Sequence, residues 1–310
     1  METDMENQHH EKPTEWDLWN ALPELEGIER ARACFDLSGL TFENGQYVKS
    51  LTLAEEARDC YLELEDKYGY AHSLATVAFS LYSLDRKDEG AVEMMKTVMV
   101  FNEIGAKEEW EHRGYLASWF KDIDDLSGAR EQYMKCLEHF EYEENREKVA
   151  YLNQQIGFVD CQLGSCTDAI EKYKRSREIN VTLKDVKQVA ETDIHLARCY
   201  NHQKEGALAE LHAMKAIAIF DSVCTRDKRA QAYSQLGRAK NNQGEFETAL
   251  QAFEKAHGIV SKEREVNYYG LMTIQKGMAK ALRGLGRDAE AVEVEARNEI
   301  INETLKWEPV

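Results

Sequence analysis

Between Phe246 and Ala256, apolar side chains fall at Phe246, Ala249, Leu250, Phe253 and Ala256. That is the i, i+3, i+4, i+7 spacing of one face of an α-helix. Just upstream, Ala232, Leu236, Gly237 and Ala239 mark another helix. Asn242-Gln243-Gly244 then closes it with a residue suited to a left-handed cap. The stretch predicts helix, tight turn, helix.

The same pattern recurs along the chain. One small residue per unit, at Ser38, Ala78, Ala117, Gly157, Ala197, Gly237 and Gly277, repeats every 39 or 40 residues. A second set, Ser50, Ala91, Ala129, Ala169, Ala209, Ala249 and Ala291, repeats every 38 to 42. Turn signals such as Asn44-Gly45, Leu163-Gly164, Gln243-Gly244 and Leu285-Gly286 sit between the two sets. Two registers held through seven copies predict seven antiparallel helical hairpins, with small residues where helices cross closely. Aromatics such as Tyr133, Tyr173 and Phe253 fill the gaps between layers.

Proline use agrees with this. The only prolines are Pro13, Pro23 and Pro309, and a stretch of 285 residues from Glu24 to Glu308 contains none. Proline clashes inside a helix and removes a backbone donor, so its absence over this length predicts helix almost throughout. With 43% hydrophobic and 31% charged residues the chain can bury a core. Fifty-seven acids against 39 bases give a net charge of −18, which disfavours general nucleic-acid binding and favours basic partners. No apolar run is long enough to span a bilayer and no signal segment opens the chain. Seven cysteines, an odd number with no C-x-x-C pair, suggest reduced thiols and a cytoplasmic protein.

No catalytic set is evident. HExxH, P-loop, G-x-S-x-G and G-x-G-x-x-G patterns are all missing. His195 and His202 are seven apart and could share a face, but no further metal ligands stand at i+4. Cys161 and Cys166 straddle a turn and are expected to be ordinary structural thiols. The expectation is a non-catalytic protein with no cofactor and no metal.

The small residue at the eighth position, the aromatic after the turn and the alanines that follow resemble the tetratricopeptide repeat. The resemblance covers about residues 28–306. The period exceeds the family's usual value of about 34 residues. With the link Phe101-Asn102-Glu103-Ile104-Gly105, it resembles the long form seen in bacterial peptide-pheromone receptors, transcription-activator sensor arms, kinesin light chains and polarity adaptors. The match is weaker at the third unit, where Asp122–Asp125 replaces the usual turn, and at the longer seventh. The resemblance implies an all-α, right-handed superhelical solenoid of about seven repeats. Residues 1–14 are expected to be a disordered tail, 15–27 an apolar cap around Trp16, Leu18, Trp19, Leu22 and Leu25 or a docking motif, 28–306 one solenoid, and 307–310 a short tail.

It also implies a groove lined by the first helix of each repeat. Carried onto this chain, the inward positions include Phe79 and Tyr82 in the second repeat, and Tyr151, Gln154, Phe158 and Cys161 in the fourth. The fifth contributes Arg198, Asn201 and His202, and the sixth Arg238, Asn241 and Asn242. The seventh contributes an apolar wall of Leu271, Ile274, Met278, Ala281 and Leu282. Arg-x-x-Asn recurs at 198–201 and 238–241, one repeat apart. It is expected to clamp a peptide, asparagine holding backbone and arginine a carboxylate. Pairing of these arginines with Glu191 or other acids is the structural alternative. The function expected is an adaptor or regulator that captures an extended segment of a protein or peptide partner, one that is basic or ends in a carboxylate. An assembly protein forming a homo-oligomer through solenoid ends and edges, including a homodimer through the C-terminal repeat, is the alternative.

Overall fold

The computed structural model describes residues 14–223, 226–261 and 268–307; of the tails expected at 1–14 and 307–310, all but Thr14 and Trp307 lie outside them, as does Cys224. The described residues form α-helices and one short 3₁₀ turn, with no strand among them. A short α1 (Glu15–Ala21) and the turn Leu22–Glu24 precede the hairpins. Then follow α2 (Gly27–Glu43), α3 (Tyr47–Glu63), α4 (Lys67–Ser83), α5 (Lys87–Glu103), α6 (Glu109–Asp122) and α7 (Leu126–Tyr142). The chain continues with α8 (Arg146–Gln162), α9 (Cys166–Leu183), α10 (Val186–His202), α11 (Gly206–Val223) and α12 (Arg226–Gln243). It ends with α13 (Phe246–Val260), α14 (Tyr268–Gly284) and α15 (Asp288–Trp307). Packing divides the chain into two compact units, one ending at Cys136 and the other beginning at Leu137, inside α7.

Both registers of small residues are buried apart from the half-buried Gly277, as close helix crossing requires: Ser38, Ala78, Ala117 and Ala197 are fully buried, as are Ser50, Ala129, Ala169, Ala209, Ala249 and Ala291. The turns need a left-handed residue after each helix. Gly45, Gly164, Gly244 and Gly286 supply it at positive φ, and Asp85, Asp124 and Lys204 take the same conformation at φ of 61°, 65° and 62°. The aspartates of the third unit therefore replace the glycine of the turn without replacing its geometry.

In the first unit, Leu22, Ala31, Cys34, Leu37, Leu53, Ala57 and Tyr61 form a core, with Leu18 and Leu25 packed against it. Thr14 caps α1 in a reciprocal pair with Asp17. Of the segment expected to cap the solenoid, Leu18, Leu22 and Leu25 are the residues in contact with this core. Trp16 is 73% exposed and Trp19 39%, so neither indole is buried in the capping contact expected of it. Phe79 sits edge-on to Tyr115 and Trp119 at 5.1 and 5.3 Å, and Tyr82 stacks on Trp119 at 4.4 Å while its hydroxyl donates to Asp122.

In the second unit, neighbouring first helices (α8–α10, α10–α12 and α12–α14) meet each other, while neighbouring second helices barely do. This unit therefore curves with its first helices inside. The apolar set of the seventh repeat is not an open wall: Leu271, Ile274, Ala281 and Leu282 are buried in one core with Val260, Phe253 and Ala291, and Met278 packs against it. Asp193 is fully buried at the centre of the unit. It takes two hydrogen bonds from Arg177, at 2.9 and 3.2 Å, and faces His212 Nδ1 at 2.6 Å, tying α9, α10 and α11 together.

Candidate functional site

Helices α10 and α12 touch, and on each the residue after the small packing position, Ala197 or Gly237, is an arginine. Arg198 and Arg238 thereby line one cleft of about 400 Å³, with Ile194, His195, Ser234, Gln235, Tyr269 and Ile274. Asp227 lies at its edge, holding a hydrogen bond from Gln231 Nε2 at 2.9 Å. The walls are part apolar and part hydrogen-bonding, the mixture that small binding sites use.

Neither guanidinium has an ion pair with a described carboxylate. Glu191, the acid expected as their structural partner, is held by Lys228 at 3.1 Å instead. Arg198 Nη2 reaches His195 Nδ1 at 3.2 Å, and its guanidinium lies 5.5 Å from the Phe158 ring centre, a cation–π arrangement. Its Nε is buried without a partner. Burial and the neighbouring Arg198 charge depress the Arg238 pKa. Burial, then the Arg198 and Lys228 charges, push His195 down to about 3. His195 is therefore the neutral acceptor for Arg198.

The asparagines expected to complete the clamp are already engaged. Asn201 Nδ2 donates to Gln235 O at 2.9 Å and to Gln235 Oε1 at 3.2 Å. Asn241 Nδ2 donates to Gly277 O at 3.0 Å, and Asn242 Nδ2 to Asn201 O at 3.0 Å. Asn201 and Asn241 are both buried. Their amides bind the next helix rather than facing a ligand. His202 is on the surface. Tyr151 and Gln154 line a different cleft of about 320 Å³ with Glu147, Asn180, Asp185 and Gln188. Phe79 and Tyr82 belong to the aromatic cluster of the first unit.

One contact has no counterpart in the sequence reading. Cys199 Sγ on α10 lies 3.8 Å from Cys161 Sγ on α8. These positions are 38 residues apart and four and two residues past their small packing residues, so aligning the repeats leaves them two residues, about half a helical turn, out of register.

Comparison with known proteins agrees with this architecture. A tetratricopeptide repeat model matches residues 188–262 and 228–297. Over residues 188–297 the chain is built of tetratricopeptide repeats. Superkiller protein 3 of Schizosaccharomyces pombe is 23% identical over 266 residues, 83% of this chain and 18% of that protein, so the chain spans less than a fifth of that relative. The apo form of RapI shares the fold at a TM-score of 0.65 and 16% identity, covering 89% of this chain and 98% of that one. The apo form of the quorum sensor NprR from B. thuringiensis does so at 0.57 and 12%, covering 92% and 91%. Among the described residues no helix is long and apolar enough to cross a membrane. The repeat fold supports a role in protein–protein interaction.

Proposed function

We propose that the second unit captures an extended, carboxylate-bearing segment of a protein partner, and that the chain acts as a non-catalytic cytoplasmic adaptor or regulator. The observation that carries this reading is the Arg198–Arg238 pair. Two guanidiniums share one cleft and neither has an ion pair with a described carboxylate, although Asp227 also lines that cleft and the chain carries 57 acids. Like charges placed this close repel, and an anion between them removes that cost while gaining forked hydrogen bonds. Ile194, Ile274 and Tyr269 supply apolar contact beside the charge, and Ser234 and Gln235 supply hydrogen bonds. The roles expected of Asn201 and Asn241 pass to these groups, since the asparagine amides hold helices together. The likeness in fold to a protein described as a quorum sensor supports a recognition role.

The test is a panel of fluorescent peptides, acidic, neutral and basic, each with a free and an amidated C-terminus, titrated by anisotropy. Acidic or free-carboxylate peptides should bind best. Arg238→Gln should weaken them by roughly 5- to 150-fold, the equivalent of losing one charge-assisted bond of about 1–3 kcal/mol. Equal binding of all peptides, or an unchanged affinity in Arg238→Gln with intact helicity, overturns the assignment.

A further inference from the structure

Three thiols, Cys161 and Cys166 half-buried and Cys199 buried, meet two arginines that have no ion pair with a described carboxylate. Cys161, next to last in α8, faces Cys199 Sγ at 3.8 Å, and Cys199 is fully buried. Cys166 approaches from α9. The charged and titratable groups acting on Cys161 from the packed elements are Cys166 and Tyr173 on α9, Arg198 and Cys199 on α10, and Arg238 on α12. None of these is a carboxylate. We propose that Cys161 is a modification site: a nucleophilic thiol that reacts with small peroxides and is then bridged to Cys199, linking α8 to α10.

The physical basis is the set of charges. Hydrogen-bond donation from Cys199, then the Arg198 charge, the Cys166 thiol and the Arg238 charge, hold the Cys161 pKa below its ordinary value, against the opposing effect of burial. The shared proton and burial raise Cys199, which stays a thiol. The carbonyl end of α8 disfavours negative charge on Cys161, so the neighbouring thiol and the two guanidiniums are what make the thiolate accessible. Thiolates beside arginine and partly open to solvent are the reactive ones, whereas apolar burial makes a thiol inert. Cys34 illustrates the second case: burial and Glu56 push it up to about 12.

The chemistry closes in two steps. The Cys161 thiolate attacks one oxygen of hydrogen peroxide, the O–O bond breaks and hydroxide leaves. Sulfur is oxidised to sulfenic acid and peroxide is reduced. The Cys199 sulfur then attacks the sulfenic sulfur, the S–O bond breaks, and hydroxide departs with the Cys199 proton as water. Bridging requires the two sulfurs to close from 3.8 Å to the roughly 2.0 Å of a disulfide, a side-chain movement across one helix–helix contact.

The experiment uses the full reduced chain and one equivalent of hydrogen peroxide, with thiol counting and peptide mapping by mass spectrometry. Two thiols should disappear and one Cys161–Cys199 cross-link should form. In Cys199→Ser, dimedone should label Cys161 as a sulfenic acid. Arg238→Gln should slow iodoacetamide labelling of Cys161 at pH 6.5 several-fold, with helicity by circular dichroism unchanged. First oxidation at another cysteine, a Cys161–Cys166 bridge, no dimedone adduct in Cys199→Ser, or Cys161 labelling no faster than Cys34, each overturns the assignment.

Discussion

Phe253 is fully buried between two glycines on adjacent first helices, and this makes Gly237→Ala an informative perturbation. A Cβ on Gly237 would meet three carbons of the Phe253 ring at 2.8 Å, and one on Gly277 would meet the same ring more closely still. Ordinary carbon contacts begin near 3.5 Å, so the ring must retreat by over half an ångström in a slot with no free space. Overpacking of this kind costs about 1–3 kcal/mol, and alanine returns about 1 kcal/mol of helix propensity. The net expectation is a loss of up to about 2 kcal/mol for Gly237→Ala and a larger loss for Gly237→Leu. The assay is urea unfolding followed by the helical circular-dichroism signal. Gly258, on the same helix as Phe253, has nothing within 4 Å of its added carbon, so Gly258→Ala should stabilise by up to about 1 kcal/mol. In a Phe253→Leu background the clash is relieved, and Gly237→Ala should change sign and become stabilising. An unchanged midpoint for Gly237→Ala, or a loss of equal size in the Phe253→Leu background, refutes the packing argument.

Asp193→Ala should cost about 3–5 kcal/mol, because it leaves Arg177 and His212 facing an empty buried site; a change below 1 kcal/mol in thermal or urea unfolding would show the triad to be dispensable. His195 titrates near 3 folded but near 6.5 unfolded, so the unfolded chain takes up the proton first as pH falls. Its contribution is whole above pH 6.5 and declines as pH falls toward 3, by up to about 1.4 kcal/mol per pH unit. Melting temperature between pH 7.5 and 5 should therefore fall less steeply in His195→Gln; parallel profiles would refute this. Lys204→Gly should stabilise by about 0.5–1 kcal/mol, since a lysine at φ 62° bears a left-handed strain that glycine lacks, partly offset by glycine's own entropy; a lower melting temperature would contradict it.

The repeat was legible because its signal is periodic: Ser38 to Gly277 and Ser50 to Ala291 mark where helices cross, and crossing demands small side chains whatever surrounds them. The turns were legible in every unit; what residue type does not reveal is that Asp124 and Lys204 hold a glycine's conformation there. The site was half legible. Arg198 and Arg238 line one cleft because the period placed them side by side. Asn201 and Asn241 have the same spacing, but an amide on that face can serve a ligand or the carbonyl of the next helix, and only the interhelical distance decides. Trp16 and Trp19 share the pattern of a cap, yet in a seven-residue helix the pattern does not say which side faces the core; Leu18, Leu22 and Leu25 do. Cys161 and Cys199 escaped notice because 38 residues is not the period, and contact depended on side-chain length across two helices.

The amides of Asn201 and Asn241 also govern how the second unit comes apart. Each reaches forward to a carbonyl of the following first helix, so the hairpins that begin with α10 and α12 are each secured by the one after. The array then behaves as a line of nearest-neighbour couplings, in which loss of α14 and α15 strips Asn241 of its acceptor and exposes the α12–α13 pair next. Unravelling should travel inward from the C-terminal end one hairpin at a time. Amide exchange should show a staircase of protection, lowest in α14 and α15 and rising through α12 to α10.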